Sequence, residues 1–315
     1  MEAKYAHASV GNFNIDVTVY VDEWLALEEG TYASEISIRP GGAATNYAVA
    51  VASYGHVAYL VASVSKNHVV YSLLEEAKSR GVKIDYVNFV DDYPGVVLVL
   101  VDSSGERRMV RFQGANKHLK PEHARDELLS KVHVVHTASM SPGFTMEVAS
   151  RAKKNMTITS YDPGPFAEQL AEHTRIARYL DTLFLNEKEY NKVKSVIDIS
   201  ALFEEGLRNL VIKMGSKGAV VVERGGVCHY GVAQPIRGPI DTTGAGDAFD
   251  AFFNSKYVET GKISEALLYG VAAGALKAGC KGSFICWDPK AFKYQLEKTT
   301  VVRGLCKNFG ITEVP

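Results

Sequence analysis

From Val132 onward the sequence alternates between short apolar stretches and longer stretches with the apolar spacing of helices. Parallel strands need crossover connections of this length, so the alternation is typical of a mostly parallel sheet with helices on both faces. The predicted strands are 132–137, 157–161, 182–185, 210–214 and 219–223, and the predicted helices are 145–154, 166–173, 187–194, 199–206, 248–259, 264–278 and 289–297. Ligands of such sheets bind beyond the carboxyl ends of the strands.

Between residues 5 and 112 the chain contains strands that do not fit this repeat. Residues 5–10 and 57–64 predict strands, and residues 72–80 predict a helix closed by a glycine. The apolar runs 96–101 and 107–112 flank a turn and predict a hairpin. With the alternating segments around Asp16 and Ile36, the hairpin is expected to form a separate small sheet. We expect one α/β domain over residues 1–315.

The charge balance and the cysteines bear on partners and location. The 315 residues carry a formal net charge of −1, so neither nucleic acid nor a membrane surface is expected as a partner. We find no run long enough to span a bilayer and no signal-peptide pattern. The four cysteines form no CxxC pair, so zinc is not expected. We expect reduced cysteines and a cytoplasmic protein, with a Cys280–Cys286 disulfide as the alternative.

A glycine-rich string, Asp-Thr-Thr-Gly-Ala-Gly-Asp at 241–247, stands directly before a helical apolar pattern. Glycines expose backbone N–H groups and a helix N-terminus adds unpaired donors, so the string predicts a cradle for an anion, most often phosphate. A carboxylate at Asp247 repels phosphate unless it has a chemical task, and the task that fits is taking a proton from a nucleophilic hydroxyl. The alternative is a plain turn in which Asp247 only caps the helix.

Polar residues in the first 50 positions suit a sugar. Asn14 and Asp16 alternate with apolar residues and so share one face of an extended segment, where they could bind hydroxyls. A solvated strand face is the alternative. Gly41 and Gly42 precede an alanine-rich helix whose first turns contain Asn46, near whatever the glycine turn approaches. A mere helix start is the alternative there.

Two more strings, Asn-Glu-Lys-Glu at 186–189 and Lys-Met-Gly-Ser-Lys-Gly at 213–218, follow predicted strands. In this order, with the glycine pair before Asn46 and the string 241–247, they resemble the ribokinase-like (PfkB) family of carbohydrate and nucleoside kinases over nearly the whole chain. The resemblance implies a ribokinase-like three-layer α/β/α sandwich with a mostly parallel sheet and a small β-sheet lid. It also implies an ATP-dependent phosphotransferase acting on a hydroxyl of a small sugar, sugar acid or nucleoside.

The resemblance implies roles for individual residues. Asp247 would be the general base. The anion hole for the transferring phosphoryl group would be the backbone of Thr243, Gly244, Ala245 and Gly246. The positions that hold the acceptor would be Asn14, Asp16, Gly42 and Asn46. The nucleotide-binding positions would be Asn186, Lys213, Gly215, Gly218, Thr243 and Gly246.

The resemblance also implies cations and a moving lid. Asn186 and Glu189 match the pair that organises Mg²⁺ and its waters, and Mg²⁺ suits such a site because it keeps several waters. Asp241 matches a position near a monovalent-cation (K⁺) site in some members. The lid, about 14–38 and 96–112, would close over the acceptor and exclude water. In ribokinases the lid also forms a homodimer interface.

The chain departs from ribokinases around the acceptor. Ala43 stands where ribokinases carry lysine, and Ser-Met-Ser at 139–141 stands where they carry a glutamate against the sugar. Gly270 and Val271 stand where Asn or His often flanks adenine. The acceptor and the base of the nucleotide therefore stay open.

Three arginines lie on the predicted hairpin: Arg107, Arg108 and Arg111. They could bind an anionic acceptor such as a sugar acid or sugar phosphate, but alternation lets only some of them face the site. Arg111 is our candidate. The alternative is a charged edge strand that blocks aggregation.

Two other functions were weighed. A sugar- or nucleotide-binding regulatory protein of the same fold, without turnover, is the main alternative. An intact Asp247 speaks against it, since a binder gains nothing from a carboxylate at the phosphoryl position. A nicotinamide-dependent dehydrogenase fails because no GxGxxG follows the first strand.

Overall fold

The computed structural model describes residues 4–22, 30–104, 106–234 and 241–306. Residues 23–29 of the predicted lid, Gly105 of the predicted hairpin turn and the side chain of Arg107 lie outside this part of the chain, as do both ends of the predicted 1–315 domain.

Strands and helices alternate along most of the described chain. The strands are β1 (Ala6–Gly11), β2 (Asn14–Tyr20), β3 (Glu35–Gly41), β4 (Val57–Val61), β5 (Ser63–Ser65), β6 (Val82–Lys83), β7 (Asn88–Val90), β8 (Val96–Val101), β9 (Arg107–Phe112), β10 (Val134–Ala138), β11 (Ile158–Asp162), β12 (Thr182–Asn186), β13 (Asn209–Lys213), β14 (Ala219–Glu223), β15 (Val227–Ala233) and β16 (Thr299–Leu305). The α-helices are α1 (Ala43–Tyr54), α2 (His68–Ser79), α3 (Asp126–Leu129), α4 (Pro142–Lys153), α5 (Glu187–Lys194), α6 (Ser200–Glu205), α7 (Ala245–Thr260), α8 (Ile263–Ala278) and α9 (Pro289–Glu297).

The large sheet has, within the described ranges, ten strands in the order β16-β15-β14-β13-β12-β11-β10-β1-β4-β6. Its pairs from β6 to β13 are parallel, as predicted, but β13 to β16 pair antiparallel. Gly225 and Gly226, with φ of 105° and 81°, turn the chain directly from β14 into β15. Such a short connection allows only antiparallel pairing. The strands β15 and β16 lie outside the predicted strands.

Helices cover both faces of the large sheet. On one face, Ser9 of β1 donates to the carbonyl oxygen of Ala44 in α1 (2.7 Å). On the other face, Ala8 and Val10 of β1 pack in one apolar cluster with Val148 of α4. The three-layer arrangement predicted for the chain is thereby confirmed. Among the helices of the described residues, none is both long enough and apolar enough to cross a membrane.

The small sheet has, among the described strands, the order β3-β2-β8-β9, so the predicted hairpin does pair with the two earlier strands. The register places Asp16 beside Arg39 of β3 and Val97 of β8, and places Val97 beside Arg111 of β9. Paired residues share a face of a sheet. Asp16, Arg39 and Arg111 therefore lie on one face, and Arg108 lies on the opposite face.

Three predicted elements differ from the structure. The predicted strand 57–64 is divided into β4, which joins the large sheet, and β5, which pairs with β7. The predicted helix 166–173 is a 3₁₀ segment, Gly164–Glu172. Helix α2 begins before the predicted residue 72, because Asn67 caps it by accepting a hydrogen bond from the N–H of Val69 (2.8 Å).

The prediction of reduced cysteines is wrong, since disulfides join Cys228 to Cys306 and Cys280 to Cys286. The antiparallel pairing of β15 with β16 brings Cys228 and Cys306 to a Cα–Cα distance of 4.9 Å. The sequence does not predict this pair, because neither strand is among the predicted ones. Cys280 and Cys286, the pair weighed as an alternative, flank a short loop after α8, with a Cα–Cα distance of 5.7 Å.

Candidate active site

The glycine string 241–247 forms a turn at the amino end of α7. Gly244 precedes the helix with φ of 77° and ψ of 2°. A Cβ atom there would lie 2.1 Å from the carbonyl oxygen of Ser283, so the close approach of these two backbones requires glycine. The unpaired N–H groups at the start of α7 therefore lie next to the glycine turn, as expected of an anion cradle.

The turn already uses two of its four predicted donors. The N–H of Thr243 donates to Oδ1 of Asp241 (2.9 Å), and the N–H of Ala245 donates to a carbonyl oxygen of the turn (3.1 Å). Among the described residues, no acceptor bonds to the N–H groups of Gly244 and Gly246. In this conformation an anion would therefore meet the N–H groups of Gly244 and Gly246, a narrower cradle than the four donors that the resemblance implies.

Asp247 follows this cradle and contacts Asn46. Nδ2 of Asn46 in α1 donates to Oδ2 of Asp247 (2.7 Å), so the two glycine-rich helix starts meet. Burial raises the pKa of Asp247 to about 6; the bond from Asn46 lowers this pKa, and the charge of Asp162 raises it. Such a carboxylate is ionised at neutral pH and is a stronger base than an ordinary one.

Asp16 lies near Asp247 with an unpaired oxygen. Oδ1 of Asp16 and Oδ1 of Asn46 are both buried without a hydrogen-bond partner among the described residues. Burial and the charge of Asp247 raise the pKa of Asp16 to about 7, whereas Arg111 lowers it. Buried polar atoms are normally hydrogen-bonded, so two open acceptors beside Asp247 indicate a place for a hydroxyl-bearing ligand.

Asn14 is oriented by Asn116, which the sequence analysis missed. Nδ2 of Asn116 donates to Oδ1 of Asn14 (2.7 Å), and Oδ1 of Asn116 accepts from the N–H of Phe13 (3.1 Å). Asn116 is buried in the 3₁₀ segment Gly114–His118 after β9. The available signal in the sequence was the Gly-Ala-Asn directly after the hairpin.

Gly42 brings the predicted acceptor residues together. It precedes α1 with φ of 98°, and a Cβ atom there would lie 2.2 Å from the carbonyl oxygen of Asn12. The start of α1 therefore rests directly on the loop between β1 and β2. This contact sets Asn46 near the strand that carries Asn14 and Asp16.

A cleft of about 490 Å³ opens beside Asp247; of the predicted acceptor positions Arg111 lines it, and of the predicted nucleotide positions Asn186 lines it, whereas the others do not. Arg111 of the small sheet, Asp247, and Asn186 and Glu189 at the start of α5 all line it. Ser139 lines it too, with a left-handed φ of 54° that is uncommon for a residue with a side chain. Backbone strain of this kind concentrates at functional sites.

Asn186 and Glu189 also cap α5. Oδ1 of Asn186 accepts from the N–H of Glu189, and Oε2 of Glu189 accepts from the N–H of Asn186, both at 2.9 Å. This reciprocal capping box is a structural task in its own right. Burial and the charge of Asp162 raise the pKa of Glu189.

Lys213 is bound by two carboxylates. Its ammonium donates to Oδ2 of Asp162 (2.7 Å) and to both carboxylate oxygens of Asp250 (2.9 Å each). Burial acts to lower the pKa of Lys213, but Asp162 and Asp250 overcome this effect and raise it. The Nζ atom lies 3.3 Å from the place of a Cβ atom on Gly246. The ammonium therefore lies against the turn of residues 242–246, hereafter the anion turn, and its three donors are occupied.

Gly215 and Gly218 flank the 3₁₀ turn Gly215–Lys217 between β13 and β14, with φ of 60° and 91°. They lie just beyond Lys213, at the carboxyl end of β13, in the segment that the resemblance implies to line the nucleotide.

Comparison with known proteins agrees with this geometry. The model of the pfkB family of carbohydrate kinases matches residues 6–290. The chain belongs to the pfkB family. The resemblance inferred from the sequence is thereby confirmed, and with it the expectation of a carbohydrate or nucleoside kinase.

Two named relatives match most of this chain. The chain is 31% identical over 297 residues to the ATP-dependent ribose-1-phosphate kinase of Halopiger xanaduensis, covering 87% of this chain and 92% of that one. It is 25% identical over 255 residues to the nucleoside kinase of Methanothermobacter thermautotrophicus, covering 79% of this chain and 82% of that one.

A solved structure has the same fold as this kinase. The ribokinase of Thermotoga maritima matches with a TM-score of 0.80 at 26% identity, over 93% of this chain and 99% of that one. The predicted ribokinase-like sandwich, with its mostly parallel sheet and additional small sheet, is therefore confirmed.

The cleft of this kinase offers donors that fit Mg²⁺. The described residues contain no group of three or more His, Cys, Asp or Glu side chains that could hold a metal by themselves. Carboxylates of Glu189 and Asp162 line the cleft beside Asn186. Hard oxygen donors in small number suit Mg²⁺, which takes its remaining ligands from water and phosphate. Asp162 was not predicted as a site residue.

The surroundings of Asp241 do not fit a free K⁺ ion. Its two carboxylate oxygens accept from the N–H groups of Thr243 and Gly282 (2.9 Å each). The buried ammonium of Lys277 donates to its carbonyl oxygen (3.1 Å). A second cation beside this ammonium would be repelled.

The raised pKa of Asp247 predicts an acid limb in the pH–rate profile. If Asp247 is the general base that the resemblance implies, it acts only when ionised, so kcat/KM for the acceptor is expected to fall as the pH decreases through about 6. Because Asp16 lies near Asp247, the fitted value is an apparent constant of the pair. The measurement is kcat/KM from pH 5 to 8 at saturating Mg·ATP. A flat profile down to pH 5 would contradict the assignment of the base.

Proposed function

We propose that the protein transfers the γ-phosphoryl group of ATP to a hydroxyl of a small sugar, sugar acid or nucleoside. One observation carries the proposal: the Asp247 carboxylate, bound by Asn46, lies directly beside the open N–H groups of Gly244 and Gly246. A base for a hydroxyl and a cradle for a phosphoryl group are the two parts this reaction needs.

In the proposed step, Asp247 accepts the proton of the acceptor hydroxyl as its oxygen bonds to the γ-phosphorus and the bond to the ADP oxygen breaks. The N–H groups at Gly244 and Gly246 stabilise charge on the transferring group. Asn186 and Glu189, with Asp162 nearby, would hold Mg²⁺ through its waters, and this ion would neutralise charge on the phosphate oxygens. Gly215 and Gly218 would line the nucleotide.

The acceptor is proposed to be a sugar that carries an anionic group. Asn14, Asp16 and Asn46 would bind its hydroxyls, and Arg111, on the same sheet face as Asp16, would bind the anion. The relative named as a ribose-1-phosphate kinase supports a phosphorylated pentose. Nucleosides remain in the proposal because another relative is named as a nucleoside kinase.

A binding protein of the same fold without turnover is not favoured. The position expected for the general base holds a carboxylate, Asp247. Burial raises the pKa of this carboxylate to about 6, which suits a base.

The small sheet is proposed to be the lid of a single domain (1–315, lid about 14–38 and 96–112). Its face opposite Asp16 exposes four apolar side chains: Ile36, Ile38, Val110 and Phe112. Exposed apolar faces of this kind often mark interfaces, which supports the predicted homodimer through the lid. Use of ATP supports a cytoplasmic location.

A coupled assay of ADP release tests the function. The panel is ribose, 2-deoxyribose, ribose 1-phosphate, hexoses, sugar acids, cytidine and adenosine, each with Mg·ATP. Acceptor-dependent ADP release supports the proposal. If no acceptor of the panel leads to ADP release, while ligands still shift the melting temperature, the binding protein would be favoured.

Arg111→Gln tests the anionic acceptor. We expect KM for ribose 1-phosphate to rise roughly 10–100-fold, because a charge-assisted hydrogen bond contributes about 1.5–3 kcal/mol. KM for ribose should rise much less, because ribose would be affected only through the pKa of Asp16, which Arg111 lowers. The matched control is Arg108→Gln, since Arg108 lies on the same strand but on the opposite face. An equal increase in KM for both acceptors would mean that Arg111 does not recognise the anionic group of the acceptor.

A further inference from the structure

Lys277 is a fully buried lysine in the last turn of α8. Its ammonium donates to the carbonyl oxygens of Asp241 (3.1 Å) and Cys280 (3.3 Å). Lysines in the last turn of a helix commonly bind the carbonyls that follow, as with Cys280. Asp241 is different, because it belongs to another segment and directly precedes the anion turn.

Carbonyl oxygens around a single positive charge form the kind of site that binds K⁺ in proteins, where they replace the hydration shell of the ion. An ammonium group carries the same charge as K⁺ and is of similar size. Lys277 therefore places the positive charge of its side chain in the neighbourhood where the family resemblance implies a free monovalent cation, near Asp241.

The ammonium lies in a set of bonds that brace the anion turn. The carboxylate of Asp241 accepts from the N–H of Thr243 in the turn and from the N–H of Gly282 in the loop after α8. The next residue of that loop, Ser283, contacts Gly244 through its carbonyl oxygen. Lys277 thus joins the end of α8, this loop and the entrance of the turn.

Lys277 also acts on Asp247 through its charge. The pKa of Asp247 is raised by burial, and Lys277 is among the cations that lower it. Loss of this cation would therefore raise the pKa of the base, which a pH profile can detect.

We propose that the ammonium of Lys277 replaces a monovalent cation beside the anion turn, so that the protein needs no K⁺. Lys277 is then a positioning residue that acts through Asp241 and the turn without touching the substrate. The inference rests on the proposed kinase function for its effect on turnover, but not for its effect on cation binding.

The first test compares the wild-type protein in potassium chloride and in choline chloride, each at about 0.1 M so that screening is equal. Turnover and melting temperature are expected to be the same in both salts. Clear stimulation of turnover by K⁺, or a higher melting temperature in K⁺, would overturn the proposal, since a free cation would then bind.

The second test compares two variants. Lys277→Ala opens the space of the ammonium, and Lys277→Met fills it without charge. Both are expected to lose roughly tenfold or more in kcat in choline chloride, as expected when charge near a transition state is lost. Potassium or ammonium ions should restore turnover to the Ala variant alone and should raise its melting temperature, because an ion that binds only the folded state stabilises it.

Other outcomes are also decisive. A Lys277→Ala protein that turns over like the wild type in choline chloride would overturn the proposal, and so would one that no cation rescues. If the Ala variant does not fold, the wild-type comparison decides. If no acceptor of the panel is phosphorylated, the kinase proposal fails, whereas the melting temperatures still test the cation site.

Discussion

Asp247→Asn is expected to lower kcat by roughly 10²–10⁴-fold, the range typical for removal of a general base. The fold and the affinity for Mg·ATP should persist, because asparagine has the same shape and its amide oxygen can still accept the hydrogen bond from Asn46. The measurements are steady-state kinetics on the best acceptor, calorimetric binding of Mg·ATP, and the melting temperature.

The matched control is Glu259→Gln, on the same helix α7 but three turns further on. It makes the same carboxylate-to-amide change about 18 Å along the helix axis, so turnover should stay near that of the wild type. Wild-type turnover in Asp247→Asn would mean that another group takes the proton. A joint loss of Mg·ATP binding would instead indicate that Asp247 organises the nucleotide.

Lys213→Met is expected to destabilise the fold by about 3–5 kcal/mol, the usual result of breaking a buried ion pair from one side. The change leaves the carboxylates of Asp162 and Asp250 buried together without their cation. Burial already raises the pKa of Asp250. The stability loss should therefore be smaller at pH 5 than at pH 8, because the carboxylates can take up protons. Denaturant unfolding at both pH values measures it.

Two further variants separate charge from shape at this site. Lys213→Met combined with Asp250→Asn removes one carboxylate together with the cation, and should be more stable than Lys213→Met alone. Lys217→Met removes an exposed lysine paired with Glu187, and should cost less than about 1 kcal/mol. A double variant that is less stable than Lys213→Met would show that the pairing of charges is not what holds this site.

Much of the fold could be predicted because its connections are regular. Crossover helices such as α4 and α5 force neighbouring strands to run parallel, so their alternation in the sequence was informative. Where no helix connects the strands the rule does not hold: a short turn joins β13 to β14, and Gly225 and Gly226 join β14 to β15, so these strands pair antiparallel. The strand after the double glycine is not among the predicted ones, and neither is β16. The predicted α-helix 166–173 is instead the 3₁₀ segment Gly164–Glu172.

Part of the site could be predicted because several of its expected groups lie in one short sequence string, residues 241–247, which ends at Asp247. The site could not be predicted where partners come from distant parts of the chain. Asn116 reaches Asn14 from 102 residues away, and Lys213 reaches Asp250 from 37 residues away. Asp250 stands one helical turn after Asp247, so its position on the same side of α7 was a readable signal. Nothing in the spacing of Lys277 pointed to Asp241.

The disulfide between Cys228 and Cys306 encloses the anion turn, α7 and α8 in one covalent loop. With a sequence separation of 78, such a loop lowers the entropy of the unfolded chain enough to stabilise the folded state by about 4.5 kcal/mol. The link also changes what backbone cleavage does to the molecule. A protease cut between these cysteines leaves the two fragments joined by the disulfide. Both Asp247 and Lys277 then stay covalently attached to the rest of the protein until a reductant opens the disulfide.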